Sequence, residues 1–523
     1  MKLIKKMLMS ALAFLLVFSL IACQSDKGTK ESNSNQNNKS NSNEKEVISL
    51  TMIQRLPATY VVEDNPILEE WGKRTATKLE IEAPPINNYS DRLNIVMASG
   101  DIPDIIYLGN TGDLYHQWAA DGLLVKLDDY FDKSMPNAKT VLTDEELYYT
   151  RIVELDNGLF SLPRVQTKPW DNIIYRQDWL EAVDKQVPVT PDEFADVMLA
   201  FTKEDPDGNG KEDTYGFSYN RVMGHLHRNM VNAFGLRPTS VPDESGNYAI
   251  MQAQPGYMEF MDWLRGMYEN GALDPEWYLT KMYEDDDKWN AGKIGAVYSN
   301  KVTEHMTAST NREIQKVDPD AKFVAGPPLR AKGKTVSDVY YSPQIWGNYA
   351  ISADCEHIDR AVEFLDDGYT DECNELLLIG LEGVTYTSFD PEKRTATRTE
   401  EQVEAANKYV ASYATINYQR QDKGLLLANG NTEEEHAVFN EAYETVGKQT
   451  NRISYLPEGS LPGLNDINVS ITDSGIPTKY QEYETKYICG QISRDEFVNF
   501  LEQEYIPAYD EYIKIVAEAG LNK

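Results

Sequence analysis

The stretch Asp205 to Gly216, DPDGNGKEDTYG, sets acidic or amide side chains at relative positions 1, 3, 5 and 9 and a glycine at position 6. That is the spacing of a calcium-binding loop, in which alternate oxygens and one sharp turn surround a hard cation that takes six to eight oxygen ligands. Asp205, Asp207, Asn209 and Asp213 would give side-chain oxygens and Lys211 its main-chain carbonyl. Position 12, where an EF-hand carries glutamate, is Gly216. The same residues also describe an Asp/Gly turn between a helix and a strand, and both readings stand at this point.

A second group of residues suits recognition of a hydroxyl-rich ring. Aromatic side chains stack on apolar C–H faces, and planar polar groups take vicinal hydroxyls two at a time. The chain has 8 Trp and 32 Tyr. Trp170 in TKPWDN is the candidate stacking platform, and Arg176 and Asp178 in YRQDW are candidate bidentate partners. Core packing competes for Trp170 and Trp179.

Catalytic signatures are missing: there is no G-x-S-x-G elbow, no phosphate-binding G-x-x-x-x-G-K-[ST] and no H-E-x-x-H. With 84 acidic residues, carboxylate pairs arise by chance, so a secreted glycoside hydrolase stays open as an alternative. The HLH at 225–227 lacks further ligands at useful spacing.

These residues sit in a chain of 523 with a secretory beginning. Lys2, Lys5 and Lys6 precede an apolar run to Leu20 and then LIAC, ending at Cys23. This is a signal peptide over 1–22, and LIAC resembles a bacterial lipobox that would place lipid on the Cys23 sulfur. Residues 23–46 are rich in Ser, Asn and Lys, hold no aromatic residue and cannot bury a core. They read as a tether reaching about 25–30 Å on average. No later segment is apolar enough to span a bilayer.

From Val47 the composition is globular, and about 475 residues imply more than one domain. The formal charge is −34, and −37 once the three signal-peptide lysines are removed. Such a field repels nucleic acid and favours a neutral ligand over an anionic one, although a local basic pocket around Arg55, Arg164 and Arg176 could override it. Adaptation to heat or salt gives the same acidity. Cys355, Cys373 and Cys489 are spaced too widely for zinc, while a disulfide between Cys355 and Cys373 is compatible with the sequence.

Short apolar runs alternate with helical patterns. VISLTMI (47–53), LEIEAPP and DIIYLG (104–109) read as strands, and NPILEEWGKRTATK (65–78) and YSDRLNIVMAS as helices. The alternation predicts βαβ units around a mostly parallel sheet. Ligands then sit beyond the carboxyl ends of the strands, which singles out Arg55 and Tyr107 to Asn110 as wall residues.

The order of ASGDIPDIIYLG, DGLLVKLDDYFDKSMPN, NGLFSLPR (157–164), YRQDWLEAV (175–183), GALDPEW (271–277), NAGKIGAVYSN (290–300), GPPLRAKGK (326–334) and GLEGVTY (380–386) resembles extracellular solute-binding proteins of family 1. These are lipoprotein receptors of ABC sugar importers in Gram-positive bacteria, of the LipO/LplA kind and similar to alginate-binding proteins. The resemblance implies an α/β, periplasmic-binding-protein-like fold with two lobes around a cleft. Lobe 1 would take 47–165 plus 331–395, and lobe 2 would take 166–330 plus 396–523, closing on RDEFVNFLEQEYIPAYDEYIKIVAEAG. Trp170 would lie where the chain crosses between lobes. Trp346 and Asn348 would precede the return strand, and Glu382 between two glycines would face the cleft. The loop at 205–213 would hold a structural calcium, with Thr214 where relatives often carry an acid.

Function by resemblance is capture of an oligosaccharide without chemistry, by a monomer anchored on the outer face of the membrane. Its partners would be permease subunits driven by a cytoplasmic ATPase. A receptor for peptides or another small solute, and a purely adhesive lipoprotein, are the other readings.

Overall fold

In this computed structural model the described residues are 45–522 except 58, 110–112, 166–171, 219–229, 282–283, 300–308, 343–344, 392–394, 411–443, 459–460 and 462. Cys23, Asn110, Trp170 and the histidines at 225–227 therefore lie outside them.

The first elements follow the hydropathy pattern. Alternate burial along ISLTMI gives β1 (Ile48–Ile53). Helix α1 (Pro66–Thr75) starts where Asn65 accepts hydrogen bonds from the amides of Ile67 and Leu68, with Pro66 at the first turn. It ends at Ala76 in the left-handed region, which turns the chain directly into β2 (Thr77–Glu82). α2 (Tyr89–Ser99) stops at Gly100, also left-handed, and β3 (Ile105–Tyr107) follows.

Beyond this point the expected parallel sheet gives way to two mixed sheets. The first adds β4 (Leu162–Val165) and, much later, β10 (Ile345–Ile351), in the order β2-β1-β3-β10-β4. β1 is parallel to β2 and β3, while β10 is antiparallel to both of its neighbours. The second sheet comprises β5 (Asn172–Arg176), β6 (Tyr215–Phe217), β7 (Ile294–Ser299) and β8 (Phe323–Gly326), in the order β8-β5-β7-β6. There only the β6–β7 pair is parallel. Between the sheets in sequence, β9 (Ser337–Tyr341) pairs in parallel with β11 (Thr450–Ser454) as a separate ribbon.

Register fixes which ends face the crossings. Tyr349 pairs with Tyr107, and Ile345 with Val165. The carboxyl ends of β1, β3 and β4 thus share one edge with the amino end of β10. From that edge the chain leaves after Val165 and to it returns before Ile345. On the second sheet, Asn172 pairs with Ser299 and Ile173 with Gly326, so entry and exit again share one edge.

Each sheet carries its own core. Trp71, Leu93, Ile106, Phe364 and Leu377 belong to the first, and Trp71 stacks on Phe364 at 4.1 Å. Trp179, Phe194, Phe260, Trp277 and Phe497 belong to the second, where the C-terminal helices pack on the helix Tyr257–Asn270. Ring pairs Tyr483–Phe500 at 4.1 Å and Tyr487–Phe497 at 4.8 Å knit those helices together. The helix Glu400–Tyr409 buries Ala406 in the first core, and its Lys408 carbonyl accepts the Val61 amide at 2.9 Å. That helix lies beyond the boundary expected at 395. Cys355 and Cys373 are both buried and free, with no bond between them.

Candidate functional site

The carboxyl edge of the first sheet gathers an aromatic and polar group around Tyr107. β1 and β3 pair Ile53 with Ile106, which brings Gln54 and Arg55, the next two residues, alongside Tyr107 and Leu108. Tyr89 at the head of α2 donates its hydroxyl to the Tyr107 carbonyl at 2.5 Å. Gln54, fully buried, donates to the Tyr349 hydroxyl at 3.1 Å. The Tyr107 ring lies 5.2 Å from that of Tyr349 and 5.8 Å from that of Tyr89.

Gly347 makes this packing possible. Its φ is +119°, and a Cβ there would stand 2.4 Å from the Tyr107 hydroxyl, so any side chain would push the ring out. The Leu108 amide donates to the Asn348 carbonyl at 2.8 Å. The Asn348 side-chain Oδ1 is buried with no hydrogen-bond partner among the described residues. Such a group costs free energy until something donates to it.

Two cations attend this edge. Arg55 is exposed and Arg164, in β4, is 1% exposed. Burial pushes the Tyr107 hydroxyl up from its ordinary pKa, while Arg164 and Arg55 pull it back. Tyr349 is raised by burial in the same way and is also opposed by Arg164.

Of the residues expected to face a ligand, the fold brings Arg55, Tyr107 and Asn348 to one edge, and Trp346 lies in the same strand as Asn348, β10, by its backbone. Arg176 and Asp178 go elsewhere, which corrects their reading as ligand contacts. β5 runs antiparallel to β7, so its carboxyl end points away from the edge where the chain enters. Arg176 is 1% exposed, pairs with Asp178 at 2.5 Å and with Asp318, and sits 4.7 Å over the Trp179 ring. Asp178 also accepts the Lys322 amide at 3.1 Å. The group is a brace, with its donors already taken. Glu382 is exposed on a tight turn held by Arg398, which donates to the carbonyls of Thr385 and Ile379 at 3.0 and 3.1 Å. No hydrogen bond or ion pair among the described residues joins Glu382 to the Tyr107 edge.

Gln54, Tyr89, Gly347 and Tyr349 were not singled out from the sequence. The isolated glycine in a strand pattern was the available signal, since such a residue marks close approach of another group.

The loop at 205–213 lies at the opposite end of the second sheet, before β6. Asp205, Gly208 and Gly210 all have positive φ, so the backbone coils tightly. The Gly210 amide donates to Asp205 Oδ2 at 2.9 Å, and Asn209 Nδ2 donates to Asp207 at 2.7 Å and Asp213 at 3.0 Å. Asp207 is raised above the usual carboxylate range by burial, with Asp205 and Asp213 adding to it. Lys293 donates to Asp213 at 2.8 Å and lowers it.

Among the described residues no three His, Cys, Asp or Glu side chains are gathered to hold a metal ion as they stand. The donor set nonetheless fits a hard cation: three carboxylates, one amide oxygen and one carbonyl, with Oδ1 of the Asp205 carboxylate buried and without a partner among the described residues.

A family model described as bacterial extracellular solute-binding protein matches residues 60–372, more than half of the chain. The chain belongs to this family. It is 23% identical over 462 residues to the polygalacturonan/rhamnogalacturonan-binding protein YtcQ of Bacillus subtilis, covering 86% of this chain and 88% of that one. An extracellular solute-binding protein from Bifidobacterium longum subsp. infantis superposes with a TM-score of 0.70 at 16% identity, over 90% of this chain and 98% of the other. The substrate-binding protein FusA of Streptococcus pneumoniae, as an EF-hand mutant in complex with fructo-nystose, gives 0.65 at 16% identity over the same shares. The fold is thus that of solute-binding proteins, and here the carboxyl edge of the first sheet carries Tyr107, Arg55 and Arg164.

Proposed function

We propose that this solute-binding protein is the cell-surface receptor of an ABC importer and captures an oligosaccharide between its two sheets. The observation that carries the reading is the edge built from Arg55, Tyr107 and Asn348, from which the chain leaves after Val165 and to which it returns before Ile345. The names of YtcQ, polygalacturonan/rhamnogalacturonan-binding, and of the FusA complex with fructo-nystose support a carbohydrate for this chain too. Lobe 1 is built on the first sheet with the helix Glu400–Tyr409, and lobe 2 on the second sheet with the C-terminal helices. Trp170, outside the described residues, and Trp346 are the stacking candidates carried over from the sequence, and Asn348, whose Oδ1 has no partner among the described residues, accepts from a ligand hydroxyl.

Ligand that touches both lobes favours the closed form in proportion to its differential affinity for it. No bond in the sugar is broken. Lipid on Cys23 holds the receptor at the membrane through the 23–46 tether, and a permease with a cytoplasmic ATPase takes the cargo. The loop at 205–213 holds a structural calcium through Asp205, Asp207, Asn209, Lys211 and Asp213, and that ion would bind neighbouring carboxylates that otherwise repel one another.

Thermal unfolding of residues 47–523 over a panel of oligosaccharides and peptides tests this. Ligand at a hundred times its Kd adds about 2.7 kcal/mol. A rise with a sugar that is recovered intact supports the receptor; a rise with peptides alone, or recovery of cleaved sugar, overturns it.

A further inference from the structure

The net charge of the chain favours a neutral ligand, but the site itself has the opposite sign. Arginines elsewhere, such as Arg74, Arg92, Arg151 and Arg494, each hold a carboxylate within ion-pair distance. Arg55 does not: among the described residues its exposed side chain has neither an ion pair nor a hydrogen bond. A lone surface cation is ordinary in a basic protein. In a chain with 84 acids against 50 bases, an exposed guanidinium with no carboxylate partner among the described residues is available to an anion.

Its place in the fold gives that position a meaning. Arg55 follows the carboxyl end of β1, level with Leu108 beyond β3, and Arg164 lies one strand past β10 on the same edge. The pull of both arginines on the Tyr107 hydroxyl puts their positive field at that ring. The third arginine of the expected basic pocket, Arg176, is committed to Asp178 and Asp318 and leaves the charge balance of this edge unchanged.

We propose that Arg55 binds a carboxylate on the ligand, so that the receptor selects acidic oligosaccharides of the uronate class. This rests on the carbohydrate reading above. Long-range repulsion by the acidic surface slows the approach of such a ligand, and a guanidinium without a carboxylate partner among the described residues reverses the sign locally. Its fork matches a carboxylate with two charge-assisted hydrogen bonds, roughly twice as strong as those to a sugar hydroxyl. Arg164, being buried, contributes positive field.

The test is titration calorimetry on residues 47–523 with calcium present. The probes are uronic acid trimers (galacturonate, glucuronate, mannuronate), the same trimers after reduction of the carboxyl groups to alcohols, and neutral galactose, glucose and fructose oligomers. At least one uronate trimer should bind, at least tenfold tighter than its reduced form, and should weaken as salt rises. Arg55→Gln should cost about tenfold with the uronate and far less with the reduced sugar, with Arg55→Lys in between. If the reduced trimer binds as well as the acid, if Arg55→Gln affects both alike, or if only neutral sugars bind, the inference falls while the carbohydrate reading stands. If no sugar of either class binds, both fall.

Discussion

Two arginines that look alike in the sequence meet opposite fates in the two halves of the molecule. Arg55 and Arg176 each follow or end an apolar strand, and both were expected at a ligand. In the first sheet β1 points its carboxyl end toward the crossings, so Arg55 emerges there exposed. In the second, β5 runs the other way relative to β7, so Arg176 is carried to the far end and closed in by Asp178, Asp318 and Trp179. Strand direction, set by pairing and invisible in a strand's own sequence, decides whether the same side chain is free to meet a ligand or braces a core.

That contrast can be broken most directly by removing each charge. Arg176→Met should cost roughly 3 kcal/mol in urea unfolding, because it strands carboxylates that the guanidinium now satisfies. Arg55→Met should stay within about 0.5 kcal/mol. Equal losses would mean that Arg55 is also structural.

A somewhat smaller effect belongs to the far end of the second sheet. Chelator should remove up to about 2.7 kcal/mol relative to calcium at a hundred times its Kd. Asp205→Asn should abolish most of that difference while leaving binding at the Tyr107 edge intact. A chelator with no effect on the transition would sink the metal reading of the loop.

At the first edge, Gly347→Ala should cost about 2 kcal/mol, since its Cβ meets the Tyr107 hydroxyl and its backbone is left-handed. Ligand affinity should fall with it, unlike in Arg176→Met at temperatures where that variant is folded. The smallest shift is expected from Lys293→Met in chelator. Lys293 lowers the Asp213 carboxyl, so the pair stabilises above pH 3.8 and its contribution fades as pH falls below that value. Wild type and variant should therefore differ at pH 6 and converge in acid, by differential scanning calorimetry.

Much of the first half was legible in the chain. The helix over Tyr89–Ser99 and the strands at Ile48–Ile53 and Ile105–Tyr107 lie where periodicity and turn residues put them, because local pattern and burial agree there. Arg55 and Tyr107 were reachable from the rule that ligands sit beyond strand ends. Tyr349 and Gly347 were not, because β10 returns from more than two hundred residues away and only its antiparallel register lays Tyr349 against Tyr107. Lys293 was hidden for the same reason: the pairing of Tyr215 with Ile294 brings it to Asp213.

By itself the sequence determined an apolar run ending in LIAC, a Ser/Asn/Lys-rich stretch without aromatic residues, the oxygen-rich spacing at 205–213, and a large excess of acidic over basic residues. Those are properties of composition and short spacing, which need no partner strand to exist. Only the tertiary structure decided which strands reverse, that the helix Glu400–Tyr409 joins the first core, and that Arg55 has no carboxylate partner among the described residues while Arg176 is held by Asp178 and Asp318. Each of these depends on contacts between residues far apart in the chain, and one strand reversal moves a side chain from one end of a sheet to the other.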